Sequence, residues 1–237
     1  MKFTDSIKEL KTHTWGNFCE KRKAIGACDE LVENHLESID LIRSTIEDAE
    51  KQIKVWEKEQ HDKPSVNYGD EIELFKVIAE FYRLNGRLAL IEMDVNTAYK
   101  HLFKAKTEYE YRFFARRIYT LMYETDKGLA VPTGQLYKKL EANVESKSLD
   151  LYKKEHSSLT SFLKKHEEDL KYIRNFNEAH KFKEFEEQVE SIENLSVAKS
   201  IEIIDEYFVL LTQLNFAFMV ILGALSKKMN ELLIIGC

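Results

Sequence analysis

Apolar side chains recur three and four positions apart along most of the chain, which is the spacing of one face of an α-helix. Alternation with a period of two, which would predict strands, is not sustained anywhere. The first helical run extends from about Thr4 to Gln60. Its predicted inner face consists of Leu31, His35, Ile39, Ile42, Ile46 and Ala49.

Few segments interrupt this pattern. The clearest predicted loop is HDKPSVNYGD, residues 61–70, which offers Asp70 as a helix cap. The segment ETDKGLAVPTG, residues 124–134, predicts a second break. The remaining helices are predicted at 71–93, at 98–123, in the short stretch QLYKKLEANV, at 148–174 and at 197–233. Ser196 is the predicted cap of the last helix. At DVNT, residues 94–97, the pattern fits either a turn or a continuous helix.

The composition supports the same fold class. The 237 residues include only 8 glycines and 2 prolines, so few positions break a helix. We therefore predict an all-α fold, a single domain over residues 1–237, built as a helical bundle of six to eight helices with long antiparallel helices. Residues 70–237 form the predicted bundle core, and residues 1–60 are either an appendage or part of it.

Charge and cysteine content narrow the setting. The net charge of −6 argues against a protein that coats nucleic acid by bulk charge, but it leaves a local basic cleft open. The three sparse cysteines, Cys19, Cys28 and Cys237, are typical of a reducing compartment. The start, MKFTDSIKEL, has no apolar core of a signal peptide. We predict a cytoplasmic protein.

One stretch is apolar enough to approach a membrane span: YFVLLTQLNFAFMVILGAL, residues 207–225. Thr212, Gln213 and Asn215 interrupt it, and an amphipathic segment precedes it. These features favour a buried core or dimer helix over a membrane anchor. We therefore predict no membrane partner.

The stretch LKYIRNFNEAHKF, residues 170–182, places Arg174 and Asn175 before His180. An Arg and a His at this spacing arise easily by chance, so the context carries the weight. An amphipathic helix precedes the motif, and a charged connector and a long apolar helix follow it. In this order, residues 148–215 resemble the HEPN superfamily (higher eukaryotes and prokaryotes nucleotide-binding).

The resemblance implies a HEPN-like bundle and metal-independent RNA cleavage, in which the 2′-hydroxyl attacks the adjacent phosphorus and leaves a cyclic phosphate. His180 would act as general acid or base, Arg174 would hold the phosphate, and Asn175 would orient the site. The resemblance also implies a homodimer in which two motifs share a cleft, and an endoribonuclease role in a toxin–antitoxin or antiphage system, with RNA and an antitoxin or other protein as partners. The alternative is a non-catalytic interaction or nucleotide-binding protein of the same fold.

Helix geometry limits how such a site could form. Six residues of continuous α-helix turn by about 600°, which leaves Arg174 and His180 roughly 120° apart. Either the helix ends between them, as Asn175 and Asn177 permit, or a second chain completes the site. The nearby Glu178 would repel a phosphate. The alternative interpretation is that Arg174 pairs with Glu178 or Asp169 and that His180 is a solvated loop residue.

A second cluster, YRFFARRIYTLMYE, places Arg112 and Arg116 on one helical face as candidate phosphate-binding residues. Arg83 and Arg87, also four apart, could join them. The alternative is a set of ion pairs with Glu108, Glu110 and Glu124. The aromatic residues of this segment are interpreted as core rather than as platforms for stacking bases.

Metal and cofactor sites are not predicted. The spacing of His13, Cys19, Cys28 and His35 matches no zinc motif. No glutamate has a histidine three positions later, as a carboxylate-bridged di-metal bundle requires. Walker, dinucleotide-binding and nucleophile-elbow motifs are also missing from the sequence, which argues against those enzyme classes.

Overall fold

A computed structural model describes residues 18–178 and 195–235, with side chains for 25–175, 195–196 and 199–231. Within those ranges the fold is all-α, as the sequence predicts: there are seven α-helices, one π-helical turn and no strand. The helices are α1 (Phe18–Asp62), α2 (Gly69–Lys104), α3 (Glu108–Thr125), α4 (Val131–Glu141), α5 (Ser146–Lys165), α6 (Glu167–Glu178) and α7 (Val197–Ile235), and the π-helical turn is Asp126–Ala130.

The long helix α2 continues through residues 94–97, where the sequence left a turn open. It ends at Lys104, and α3 begins with a capping box at Thr107. The hydroxyl of Thr107 accepts a hydrogen bond from the backbone N–H of Glu110 at 3.2 Å, and the Glu110 carboxylate accepts one from the N–H of Thr107 at 3.1 Å. Such a cap stabilises a helix by about 1 kcal/mol. The predicted helix over 98–123 is therefore wrong at its start.

Asp70 is not a helix cap. Tyr68 is the N-cap residue of α2, and Asp70 lies in the first turn, where its negative charge interacts favourably with the helix dipole. The turn itself is held by Asn67, whose side-chain oxygen accepts a hydrogen bond from the N–H of Gly69 at 3.0 Å. The loop was correctly predicted, but its helix begins one residue before the predicted cap.

The predicted break at residues 124–134 is instead a change of helix type. The π-helical turn widens the helix, and the N–H of Val131 donates to the carbonyl of Asp126, five residues earlier. Thr125, just before the turn, bonds the hydroxyl of Tyr207 on α7 at 2.6 Å. The glycine and proline residues of this segment therefore do not end the helix. They lie in and beside the π-helical turn, which leads directly into α4.

The predicted helix over 148–174 consists of two helices that meet at His166. The His166 side chain is buried, and its ring lies 4.8 Å from that of Phe162. This buried joint sets the direction of α6, which carries Arg174. The predicted cap of α7 is confirmed, because the hydroxyl of Ser196 accepts a hydrogen bond from the N–H of Lys199 at 3.4 Å.

The core forms where α2, α3, α5 and α7 meet. Phe218 of α7 is fully buried, with its ring 5.0 Å from Phe81 of α2 and 5.7 Å from Tyr152 of α5. Such aromatic contacts contribute about 0.5–1.5 kcal/mol each beyond the burial of their area. The helix α1 packs along α2, and α6 packs on α3. On α1 the predicted inner face is confirmed at Ile42 and Ala49 but not at Leu31, which is exposed.

In the described part of the chain one helical segment, residues 199–231 of α7, is long and apolar enough by composition to cross a membrane. The core helix of a soluble protein passes the same test. In this fold, Tyr207, Leu214 and Phe218 of that segment are fully buried within the bundle.

Candidate functional site

Arg174 lies near the end of α6 and packs against the end of α3. Its Nε lies 3.5 Å from Oε1 of Glu124, and its guanidinium lies 5.4 Å from the centre of the Tyr123 ring. The side chain remains 38% exposed. Arg174 therefore makes an ion pair to α3. Of the two partners proposed from sequence, Asp169 is bound by Lys199 of α7 at 3.1 Å, and the side chain of Glu178 lies outside the described residues.

The rest of the motif is only partly described. Asn175 is exposed on α6, and this helix continues past both Asn175 and Asn177 to Glu178. His180 lies outside the described residues. The convergence of Arg174 with His180 therefore stays a prediction.

Arg112 is held inside the protein. Its Nε and Nη2 donate to Oε1 of Glu108 at 3.0 and 2.5 Å, and both side chains are buried. The pair between Arg112 and Glu108 is one of the ion pairs expected if the arginines of this segment do not bind phosphate. Arg116, the second candidate phosphate ligand, is half-buried, and burial lowers the pKa of its guanidinium. Arg83 pairs with Glu50 of α1.

A cavity of about 200 Å³ lies between α3, α6 and the start of α7. Tyr119, Asp169, Tyr172 and Lys199 are among its lining residues, and burial raises the pKa of Tyr119 to about 12. Sites for small molecules usually have volumes of about 300–1,000 Å³. This cavity is thus small for a nucleotide, and the cation in its lining is bound to the carboxylate beside it.

A polar cluster that was not predicted from the sequence joins three helices. Glu92 of α2 is 6% exposed, and its Oε2 accepts a hydrogen bond from Asn215 of α7 at 2.7 Å. Nε2 of His35 on α1 lies 2.9 Å from the same oxygen. A single glutamate within the apolar run LALIEMDV was the available signal, because a carboxylate on an inner face needs partners.

A second polar group lies between α2 and α7, where the hydroxyl of Tyr99 hydrogen-bonds to the carboxylate of Asp205. Burial raises the pKa of Tyr99 above its usual range. Close by on α1, burial and then the negative Asp29 raise the pKa of the Cys28 thiol to about 11. A thiol that stays protonated at neutral pH is a poor nucleophile.

The side of α7 that faces away from the core forms a continuous band on the surface. We call the α7 stripe the set of positions 202, 206, 209, 213, 216, 220, 223, 227 and 230. All of them are exposed except the half-buried Val220. Val209 is 56% exposed and Phe216 63%, and the neighbouring Met219 is 59% exposed. Sequence periodicity alone did not separate this face from the buried one, because Val209, Phe216 and Val220 make its centre apolar like the core side of α7.

Among the described side chains, no three His, Cys, Asp or Glu residues are grouped so that they could hold a metal ion. The chain matches no family model, and no curated protein or solved structure is significantly similar to it.

Proposed function

We propose that this chain is a helical interaction protein and that the α7 stripe is its binding surface. Single exposed apolar side chains are normal on a protein surface, but contiguous groups of them mark interaction sites. Phe216 lies one helical turn from Met219 and two turns from Val209, so the three form one patch. Aromatic residues and methionine are also enriched in protein interfaces.

The candidate catalytic groups give this proposal indirect support. Arg112 is bonded to Glu108 in the interior, and Arg174 is engaged by Glu124 and Tyr123. The buried thiol of Cys28 is not activated. The α7 stripe, by contrast, presents Val209 and Phe216 directly to solvent, beside the exposed Met219.

Photo-crosslinking in cells tests the proposal. A benzoylphenylalanine residue in place of Phe216 is expected to give a discrete adduct, because the side chain would lie inside an interface. The matched control is the same substitution at Leu41 on α1, which is 66% exposed. The adduct should disappear when Val209→Glu is added. If position 216 gives no adduct, or no more than position 41, the proposal is wrong.

A HEPN-type metal-independent endoribonuclease is the second candidate. The observation that favours it is that Arg174 and Asn175 both reach solvent near the end of α6, a few residues before His180. In this proposal Arg174 exchanges Glu124 for an RNA phosphate, with His180 as the general acid or base. The setting would be a toxin–antitoxin or antiphage system in the cytoplasm, with an antitoxin or other protein as partner.

Cleavage of RNA in the presence of EDTA tests this second candidate. The purified chain should produce cyclic phosphate ends, and His180→Ala should abolish them. His61→Ala is the matched control, because His61 is exposed and lies outside the motif. Equal activity of the two variants, or none in the unmodified chain, would argue against an endoribonuclease.

A further inference from the structure

We infer that the partner of the α7 stripe is a second copy of this chain, laid antiparallel to the first with the two-fold axis close to Phe216. This inference rests on the proposed function, since it names what the binding surface binds. Two properties of the stripe point to a second copy: its charges and the sizes of its side chains.

The stripe has the spacing of a helix-pairing seam. Its positions are alternately four and three residues apart, so they can meet a second helix along its length, with apolar contacts from Val209, Phe216 and Val220 at the centre. From position 202 to position 230 it is about 42 Å long. The seam extends over most of α7, so a straight helix of similar length is the natural partner.

The charges of the stripe are arranged for antiparallel pairing. Glu202 and Glu206 lie toward its start, and Lys227 lies toward its end. Pairing around Phe216 brings Glu206 of one copy opposite Lys227 of the other, whereas parallel pairing would bring like charges together. In one chain Glu206 lies 3.8 Å from Lys165, in an exposed ion pair that contributes little. It can therefore change partners at low cost.

The sizes of the side chains match in the same arrangement. Positions 209 and 223 are equally far from 216, so Val209 of one copy meets Gly223 of the other, and Phe216 meets itself. A Cβ atom added at Gly223 would have no heavy atom within 4 Å, so packing within the chain does not require glycine there. Glycine inside a helix costs about 1 kcal/mol relative to alanine. A second helix that approaches closely would explain the glycine at position 223, because a side chain there would keep the two helices apart.

Disulfide mapping tests the register. Cys19 and Cys237 are replaced by serine, and the buried Cys28 is retained. An oxidised mixture of the V209C and G223C variants should form a mixed disulfide dimer, while each variant alone should not. The F216C variant alone should cross-link. Self-linking of V209C and G223C, each with itself, would indicate parallel helices and overturn the inference.

Light scattering and a charge exchange test the same pairing without cross-links. The chain should have twice its 27.9-kDa mass in solution. Glu206→Lys and Lys227→Glu should each weaken dimerisation by about tenfold, and the double variant should restore it. Gly223→Gln should abolish the dimer while the thermal unfolding midpoint is kept, and Leu41→Glu should change neither.

Other partners of the stripe give different results. A photo-adduct at position 216 whose mass is not twice that of the chain would identify a foreign protein. Flotation of the chain with phosphatidylcholine vesicles that is lost in Phe216→Glu would identify a bilayer. Either result would overturn the inference that the partner is a second copy of the chain, but the α7 stripe would still be a binding surface. A monomer that gives no adduct overturns both proposals.

Discussion

Glu92 of α2 is a buried acidic residue at the meeting point of three helices. Its carboxylate lies inside the bundle, and its side-chain contacts come from α1 and α7. A buried carboxylate is stable only while such groups surround it. The position of Glu92 in the sequence suggested a core face, but its contacts with His35 and Asn215 depend on how three helices pack.

Replacing Asn215 with leucine should lower the free energy of unfolding by about 1–3 kcal/mol, because the Glu92 carboxylate loses a donor that water cannot easily replace. Urea unfolding at neutral pH measures this loss. Asn34→Leu is the control, since Asn34 is exposed on α1, and it should change stability by no more than about 0.5 kcal/mol. Equal effects of the two variants would mean that Asn215 does not support the carboxylate.

His166 predicts how stability depends on pH. Burial, followed by the charge of Lys165, lowers the pKa of its imidazole. The folded chain therefore takes up fewer protons at His166 than the unfolded chain, and stability falls as the pH drops below about 6.5. His166→Gln should flatten the change in urea midpoint between pH 7 and pH 5.5. His61→Ala should leave this slope as it is, and an unchanged slope in His166→Gln would contradict the prediction.

The joints between helices show which element boundaries can be predicted from the sequence. Loop 63–68 and the cap at Ser196 were predictable, because Pro, Asn, Gly and Ser act locally. The capping box of Thr107 and Glu110 was visible as T-x-x-E but was overlooked within a longer apolar pattern. The joint at His166 carries no Gly or Pro that would mark it in the sequence, and the burial of the His166 side chain depends on the tertiary packing.

The π-helical turn and α4 each contain one glycine that can be tested. A Cβ atom at Gly128 would meet no other heavy atom within 4 Å, whereas one at Gly134 would lie 3.1 Å from Cε1 of His156. Gly128→Ala should therefore stabilise the fold by about 0.4–1 kcal/mol by restricting the unfolded chain. Gly134→Ala should not, because the His156 ring, which is bonded to the carbonyl of Ala130, has to move.

Thermal unfolding of the two alanine variants measures this difference. Each variant is the control for the other, because both replace a helical glycine with alanine. If both variants raise the midpoint equally, the close contact at Gly134 is relieved without cost and the explanation is wrong.

At the scale of the whole molecule, the fold class was accessible from sequence because helix periodicity and the scarcity of Gly and Pro act everywhere along the chain. The candidate site was not accessible to the same degree. Arg112 and Arg116 share a helical face, but only the tertiary structure shows that Glu108 holds Arg112 inside the protein. Likewise, the central part of α7 is largely apolar on both sides, so its inner and outer faces can be distinguished only once the neighbouring helices are placed.

The chain should stay in solution when it is mixed with neutral vesicles. Tyr207, Leu214 and Phe218 pack within the bundle, so insertion of α7 into a bilayer would require the core to open. Flotation in a density gradient measures this, with recovery expected in the lipid-free fraction. Phe216→Glu should behave in the same way, and co-flotation that persists in Phe216→Glu would contradict the packing of α7 as a core helix.

The length of α1 has a hydrodynamic consequence. Its 45 residues extend for about 67 Å, whereas a compact chain of 237 residues has a radius of gyration of about 18 Å. A body with so long an axis diffuses more slowly than a sphere of the same mass. On a gel-filtration column calibrated with globular standards, one copy would elute earlier than its mass predicts, so the mass has to come from scattering or sedimentation equilibrium.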